Sequence, residues 1–283
     1  MLKKPDWLKI SYRPSPHLTE METLLESLQL NTVCREANCP NYVECFSKKT
    51  ATFMILGTSC TRSCGFCNVK YGAPSAVDSH EPQRIAEAVK ILGLQYVVIT
   101  SVTRDDLPDG GASQFAAVIR ALKLEAPKTA IEVLIPDFKG SIASLKLITD
   151  EAPAVVSHNM ETVASLYEKV RPQADYRQSL DVLRAIKRLN PAVHSKTGIM
   201  LGLGETEEEV YTLLNDLCAV GCEFLTIGQY LAPSKAHYPV QAYIEPKQFE
   251  RYGNVAREMG IAFVTSAPLV RSSYHAGAAL GLD

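Results

Sequence analysis

The chain has 283 residues, with 29 Lys and Arg against 31 Asp and Glu and a formal net charge of −2. Charges of both signs are spread along it, so no nucleic-acid or membrane partner held by bulk electrostatics is expected. No apolar run reaches the roughly 18 residues of a membrane-spanning helix, and Met1–Trp7 lacks the apolar core of a signal peptide, so a cytoplasmic protein is expected.

Of the eight cysteines, six fall between Cys34 and Cys67, and the others are Cys218 and Cys222. A secreted disulfide protein would be short and would distribute its pairs, so this clustering points to metal. In chain order, Thr19–Leu30 predicts a helix, with Thr19 as its cap and Glu22 three residues on. Pro14 and Pro16 predict an extended segment before it. Cys34, Cys39 and Cys45 follow, spaced C-x4-C-x5-C among polar, turn-forming residues. They read as a metal-cluster loop, against the alternative of redox-active or buried thiols.

Thr52–Gly57 is apolar, ends in glycine and predicts a short buried strand. Directly after it come Cys60, Cys64 and Cys67, spaced C-x3-C-x2-C. A tetrahedral zinc site wants four ligands, usually in two pairs. Three thiolates suit a four-iron cluster instead, because one iron stays open to another ligand. This spacing, with Phe66 before the last cysteine, resembles the radical S-adenosylmethionine (SAM) superfamily. The resemblance implies that the open iron chelates SAM and that one electron cleaves it to methionine and a 5′-deoxyadenosyl radical.

Further strands are expected at Tyr96–Ser101, Ile131–Pro136, Ala154–Asn159, Thr197–Leu201 and Phe224–Tyr230. Helices are expected at Ile85–Leu92, Ala112–Leu124, Ile142–Thr149, Glu161–Val170, Gln178–Leu189 and Glu207–Ala219. Six βα units predict an α/β fold, a parallel sheet curled into a partial (β/α)6 barrel. Its mouth needs covers, and the two ends of the chain supply them. The expected division is 1–50 as an N-terminal extension, 51–260 as the barrel and 261–283 as a C-terminal tail. In that tail a strand-like run from Ala262 leads into the polar Arg271-Ser272-Ser273-Tyr274.

Sites in such barrels lie at the carboxyl ends of the strands. There, Gly110 and Gly111 let backbone approach a ligand and are expected at the methionine end of SAM. Asn159 and Glu161 suit ribose hydroxyls, although Asn159 could equally cap the next helix. Gly198–Glu205, with Gly202 at its centre, suits an adenine surface and is not a phosphate loop, since no lysine and hydroxyl pair follows. Cys218 and Cys222 read as buried small hydrophobes.

Taken together, the two cysteine triplets and Arg271–Tyr274 resemble lipoyl synthase, and the resemblance covers nearly the whole chain. It extends to Ala51–Gly57, Thr100–Leu107, Met200–Glu205 and Leu225–Tyr230. It implies insertion of two sulfurs at C6 and C8 of an octanoyl chain. That chain is amide-linked to a lysine of a carrier domain, in the E2 component of 2-oxoacid dehydrogenases or the glycine cleavage H protein. It implies two 4Fe-4S clusters: one on Cys60, Cys64 and Cys67 for SAM, and one on Cys34, Cys39 and Cys45 with Ser273 as fourth ligand. The second is the sulfur source and is consumed. An electron donor is required, and a monomer is expected. The competing readings are a biotin-synthase-like sulfur inserter, which lacks the C-x4-C-x5-C partner, and a two-cluster electron carrier, which needs no βα units.

Overall fold

The computed structural model describes residues 3–9, 16–47, 52–274 and 276–282. Pro14, Ala51 and His275 lie outside the described residues. In chain order the first elements are α1 (Pro16–Ser27), β1 (Asn31–Thr32), α2 (Val33–Glu36), α3 (Tyr42–Ser47) and β2 (Thr52–Ile55). Then come β3 (Ser59–Cys60), β4 (Lys70–Tyr71), α4 (Glu81–Leu92), β5 (Tyr96–Ser101), α5 (Ala112–Glu125), β6 (Ala130–Leu134), α6 (Ile142–Thr149) and β7 (Val155–Ser157). The last are α7 (Tyr167–Val170), α8 (Tyr176–Leu189), β8 (His194–Leu201), α9 (Glu207–Ala219), β9 (Phe224–Gln229), α10 (Pro246–Glu258) and β10 (Phe263–Ser266).

The main sheet runs β1-β2-β5-β6-β7-β8-β9-β10. All its pairings are parallel except β1 with β2. Each parallel strand pairs with the next one in the chain. A right-handed crossover puts the connecting helices on one face of such a sheet and leaves the other face to curl inward. β1 and β10 stand at the two edges, so the barrel is open among the described residues.

Alternation along the strands sorts the side chains. Val97, Ile99, Ile131, Val133, Leu225 and Ile227 are buried in the core. The opposite parity carries Thr100, Glu132, Ser157, Lys196 and Thr226, all buried as well. A polar inner face means a lumen that can hold polar ligands. Charge there is paired: Lys196 Nζ lies 2.8 Å from Glu132 Oε2, and Tyr96 donates to the same oxygen at 2.6 Å.

Three expectations change. The first helix starts at Pro16, not Thr19, so Thr19 is an interior residue and caps nothing; proline suits a first helical position because its missing N–H is not needed there. The helix expected over Glu161–Val170 is reduced to a 3-10 turn at Ala164–Leu166 and the single turn α7. The sheet overrides it. Glu161 donates its N–H to Gly198 O at 3.0 Å and accepts from Met200 N at 2.8 Å, at φ +66°. The six βα units hold, and the third change is that β10, in the expected tail, adds a seventh parallel strand to the sheet. α10 carries few apolar residues, with Phe249, Tyr252 and Ala256 buried on one face, and it delivers β10 to the edge of β9. The strand-like run in the tail is therefore part of the sheet.

Past β10 the chain crosses back over β9. A Cβ on Gly228 would stand 2.1 Å from Val270 O, so only glycine admits the crossing. Gly228→Ala is expected to lift the tail at a cost of about 1–3 kcal/mol. Limited proteolysis should then cut the tail faster while the barrel stays resistant; equal resistance in both proteins would count against the crossing as a constraint.

Candidate active site

The loop after β2 starts under strain. Leu56 has φ +68° and Gly57 φ +92°. Leu56 is held there from three sides. Its N–H reaches Glu81 Oε2 at 3.1 Å, its carbonyl accepts from Arg104 Nη1 at 3.4 Å, and its side chain sits where Gly111 has no Cβ. Gln114 Nε2 also donates to the buried Glu81 carboxylate, at 3.0 Å.

From this anchor the thiol loop crosses the carboxyl ends of several strands. Thr61 N donates to Thr103 O at 3.1 Å, Gly65 N to Val170 O at 2.8 Å and Tyr238 N to Gly65 O at 2.7 Å. His237 Nε2 meets Cys67 O at 3.1 Å. The strongest tie is Arg62, buried and bonded twice to each of two carboxylates. Nε and Nη2 reach Asp105 at 2.7 and 2.9 Å, while Nη1 and Nη2 reach Asp137, both at 2.8 Å. Burial alone would push the Asp137 carboxyl up, but the Arg62 guanidinium overrides this and holds it at about 2.

The sulfurs of this loop face N–H donors. Cys60 Sγ accepts from Arg62 N at 3.4 Å and Thr103 N at 3.3 Å, and Cys67 Sγ from Val69 N at 3.5 Å. Such bonds favour a thiolate ligand. Burial pushes the Cys67 thiol up to about 12 and the Cys64 thiol upward; the charge of Cys60 adds to both, and that of Cys64 adds to Cys67. A metal must therefore displace protons on binding. Among the described residues no three His, Cys, Asp or Glu side chains converge as on a single metal ion. In a four-iron cluster each thiolate meets a different iron, so its sulfurs stand apart. Three thiols on one short loop, two of them facing N–H donors, fit that group.

The other candidate residues divide. Gly110 and Gly111 do stand at positive φ, but their N–H groups are spent on Leu107 O and Asp109 Oδ1, and a Cβ on them would strike Phe138 and Leu56. Gly202 likewise gives its N–H to Glu205 Oε1 at 2.6 Å, and its Cβ would strike Ala242 O and Gln229. All three glycines are closely packed. Asn159 caps no helix. Its Nδ2 donates to Glu161 Oε1 at 2.9 Å and to Ser272 Oγ at 3.4 Å, and its Oδ1 is buried with no partner. Burial pushes the Glu161 carboxyl up, opposed by Arg171 and Asn159. Arg171 is buried, donates to Asn159 O at 2.8 Å and Met160 O at 3.0 Å, and lies over the Tyr167 ring at 5.1 Å. It also acts on the Cys64 thiol. An unpartnered amide oxygen, a carboxylate and a guanidinium beside the thiol loop form a polar cradle.

The second triplet lies on α2, the loop after it and α3. Burial pushes the Cys34 thiol up to about 11, opposed by donors of Thr52, and Cys34 also feels Cys39. The tail meets this region three times. Asn41 Nδ2 donates to Leu269 O at 2.8 Å, Tyr274 donates to Glu44 at 3.2 Å, and Arg271 faces Cys39, whose thiol is raised mainly by burial. Ser273, half-buried, sits between Arg271 and Tyr274. Sequence reasoning missed Arg62, Asp105, Asp137 and Arg171 as a group. Their partners come from separate strands, and no spacing in the chain announces them.

A family profile described as the radical SAM superfamily matches residues 54–217. A lipoyl synthase of Alkaliphilus metalliredigens is 54% identical over 278 residues, 98% of this chain and 96% of that protein. One of Geobacter metallireducens is 54% identical over 276 residues, 98% and 97% of the two chains. Among solved structures, a methylornithine synthase covers 91% of this chain and 84% of its own at TM-score 0.54 and 17% identity. Streptococcus suis SuiB bound to S-adenosylmethionine covers 89% and 61% at TM-score 0.60 and 11% identity. These two structures establish the fold alone, and the two curated relatives carry the finer assignment. The chain belongs to the lipoyl synthase family of the radical SAM superfamily.

Proposed function

We propose that this enzyme converts a carrier-bound octanoyl-lysine to the lipoyl group by inserting sulfur at C6 and C8. The observation that carries the reading is two neighbouring thiol triplets, one on the loop over the strand ends and one on α2, α3 and their connection under the tail. Cys60, Cys64 and Cys67 would hold one 4Fe-4S cluster; Cys34, Cys39, Cys45 and Ser273 would hold the other. When bound, these groups and SAM supply a 5′-deoxyadenosyl radical and the sulfur.

The chain's own residues orient and exclude. Arg62 fixes the thiol loop against the loops after β5 and β6. Asn159, Glu161 and Arg171 offer an acceptor, a carboxylate and a cation for the ribose and carboxylate ends of SAM. Gly110, Gly111 and Gly202 shape the walls by close packing. The described residues of the N-terminal extension and of the tail act as covers that keep water from the radical. An alkyl C–H bond has no acidic proton, so no acid–base residue is needed to break it; orientation is the protein's share. The acyl carrier is the macromolecular substrate, an electron donor reduces the enzyme, and a monomer suffices.

Anaerobic loading with iron and sulfide, then assay on an octanoyl-lysyl peptide, tests the reading: lipoyl peptide and 5′-deoxyadenosine should both form. Ser273→Ala should keep SAM cleavage and lose most sulfur insertion, because the second cluster loses its oxygen ligand. Undiminished lipoyl peptide from that variant would remove Ser273 from the ligand set.

A further inference from the structure

The helix that carries Cys34, α2, is a single turn. The last carbonyls of any helix lack an intrahelical partner. Here the Ala37 N–H returns to Val33 O, and the Glu36 carbonyl is taken from outside: Asn68 Nδ2 donates to it at 2.9 Å. Asn68 directly follows Cys67. On its other side the Val69 N–H closes a turn around the Cys67 sulfur at 3.5 Å. One amide side chain therefore spans from the last thiol of one triplet to the helix bearing the first thiol of the other.

Asn68 is exposed, and water can replace a surface bond at little cost to stability. What water cannot replace is the fixed distance. We propose that Asn68 is a positioning residue that sets the separation of the two thiol triplets, and through it the fit between the activated carbon and its sulfur source. The proposal rests on the cluster assignment above. A carbon radical must meet sulfur before it reacts elsewhere, and small misplacements slow such an encounter steeply. If the spacing relaxes, SAM is spent without product.

Asn68→Asp keeps the shape but has no N–H to donate, and it sets an anionic oxygen against the Glu36 carbonyl. Iron content and SAM cleavage should stay near those of the parent enzyme. The 5′-deoxyadenosine formed per lipoyl group should rise about fivefold, the weight of one hydrogen bond. In the cluster-free full-length chain, amide hydrogen exchange across residues 33–39 should speed up, with residues 96–101 unchanged. Asn68→Ala carries the same test if the aspartate variant does not fold. An unchanged ratio, or SAM cleavage that falls in step with lipoyl formation, overturns the proposal. If the parent enzyme cleaves no SAM at all, the cluster assignment has failed instead, and unaltered exchange at 33–39 then overturns the brace on its own.

Discussion

Replacing Cys60, Cys64 and Cys67 together by alanine is expected to abolish SAM cleavage and to leave about half of the iron, because in the proposed assignment each triplet loads its own cluster. The reciprocal change of Cys34, Cys39 and Cys45 should keep SAM cleavage and stop sulfur insertion. The asymmetry follows from place. The first loop lies beside Asn159, Glu161 and Arg171, a polar cradle with an unpartnered acceptor. The second lies under the tail, with Arg271 at Cys39 and Tyr274 on Glu44. Iron analysis and 5′-deoxyadenosine assay of the two triple variants check the division. SAM cleavage by the first variant, or lipoyl product from the second, would refute it.

Arg62→Ala should be the most destabilising single change at the site. It strands the carboxylates of Asp105 and Asp137, and Asp137 is 1% exposed. Breaking a buried pair from one side costs about 3–5 kcal/mol, since an uncompensated charge stays behind. Denaturant titration should read that loss, and the unmoored thiol loop should lose SAM cleavage too. The same clamp sets an acid limit. The folded Asp137 carboxyl sits at about 2, below its ordinary 3.8. Its contribution is complete above the ordinary carboxylate value and fades as the pH falls from there through about 2. The parent should lose stability in that window, and Asp137→Asn should flatten the loss. A parent and variant with parallel acid profiles would argue against the clamp.

Much of the fold was legible because its signals are local. β5 and α6 match their predicted bounds, and so does α9, where Thr206 and Glu209 complete a capping box. The failures are non-local. Residues 161–170 have helical spacing, yet pairing of Glu161 with β8 outweighs one turn of helix and turns the carboxylate toward the site. α10 escaped because its buried face is narrow and the rest is charged.

The sequence by itself determined the two thiol triplets and the family, since these depend on spacing between near neighbours in the chain; that Cys34 and Cys45 ride on the short helices α2 and α3 did not show there. Only the tertiary structure decided what the glycines and the charged residues do. Gly110, Gly111 and Gly202 each pack against a protein neighbour that no local pattern names. Arg62, Asp137 and Arg171 looked like ordinary charges. Arg62 meets Asp137 from the loops after β2 and β6, Arg171 reaches Asn159 O and Met160 O beyond β7, and a buried charge persists only where such partners meet it.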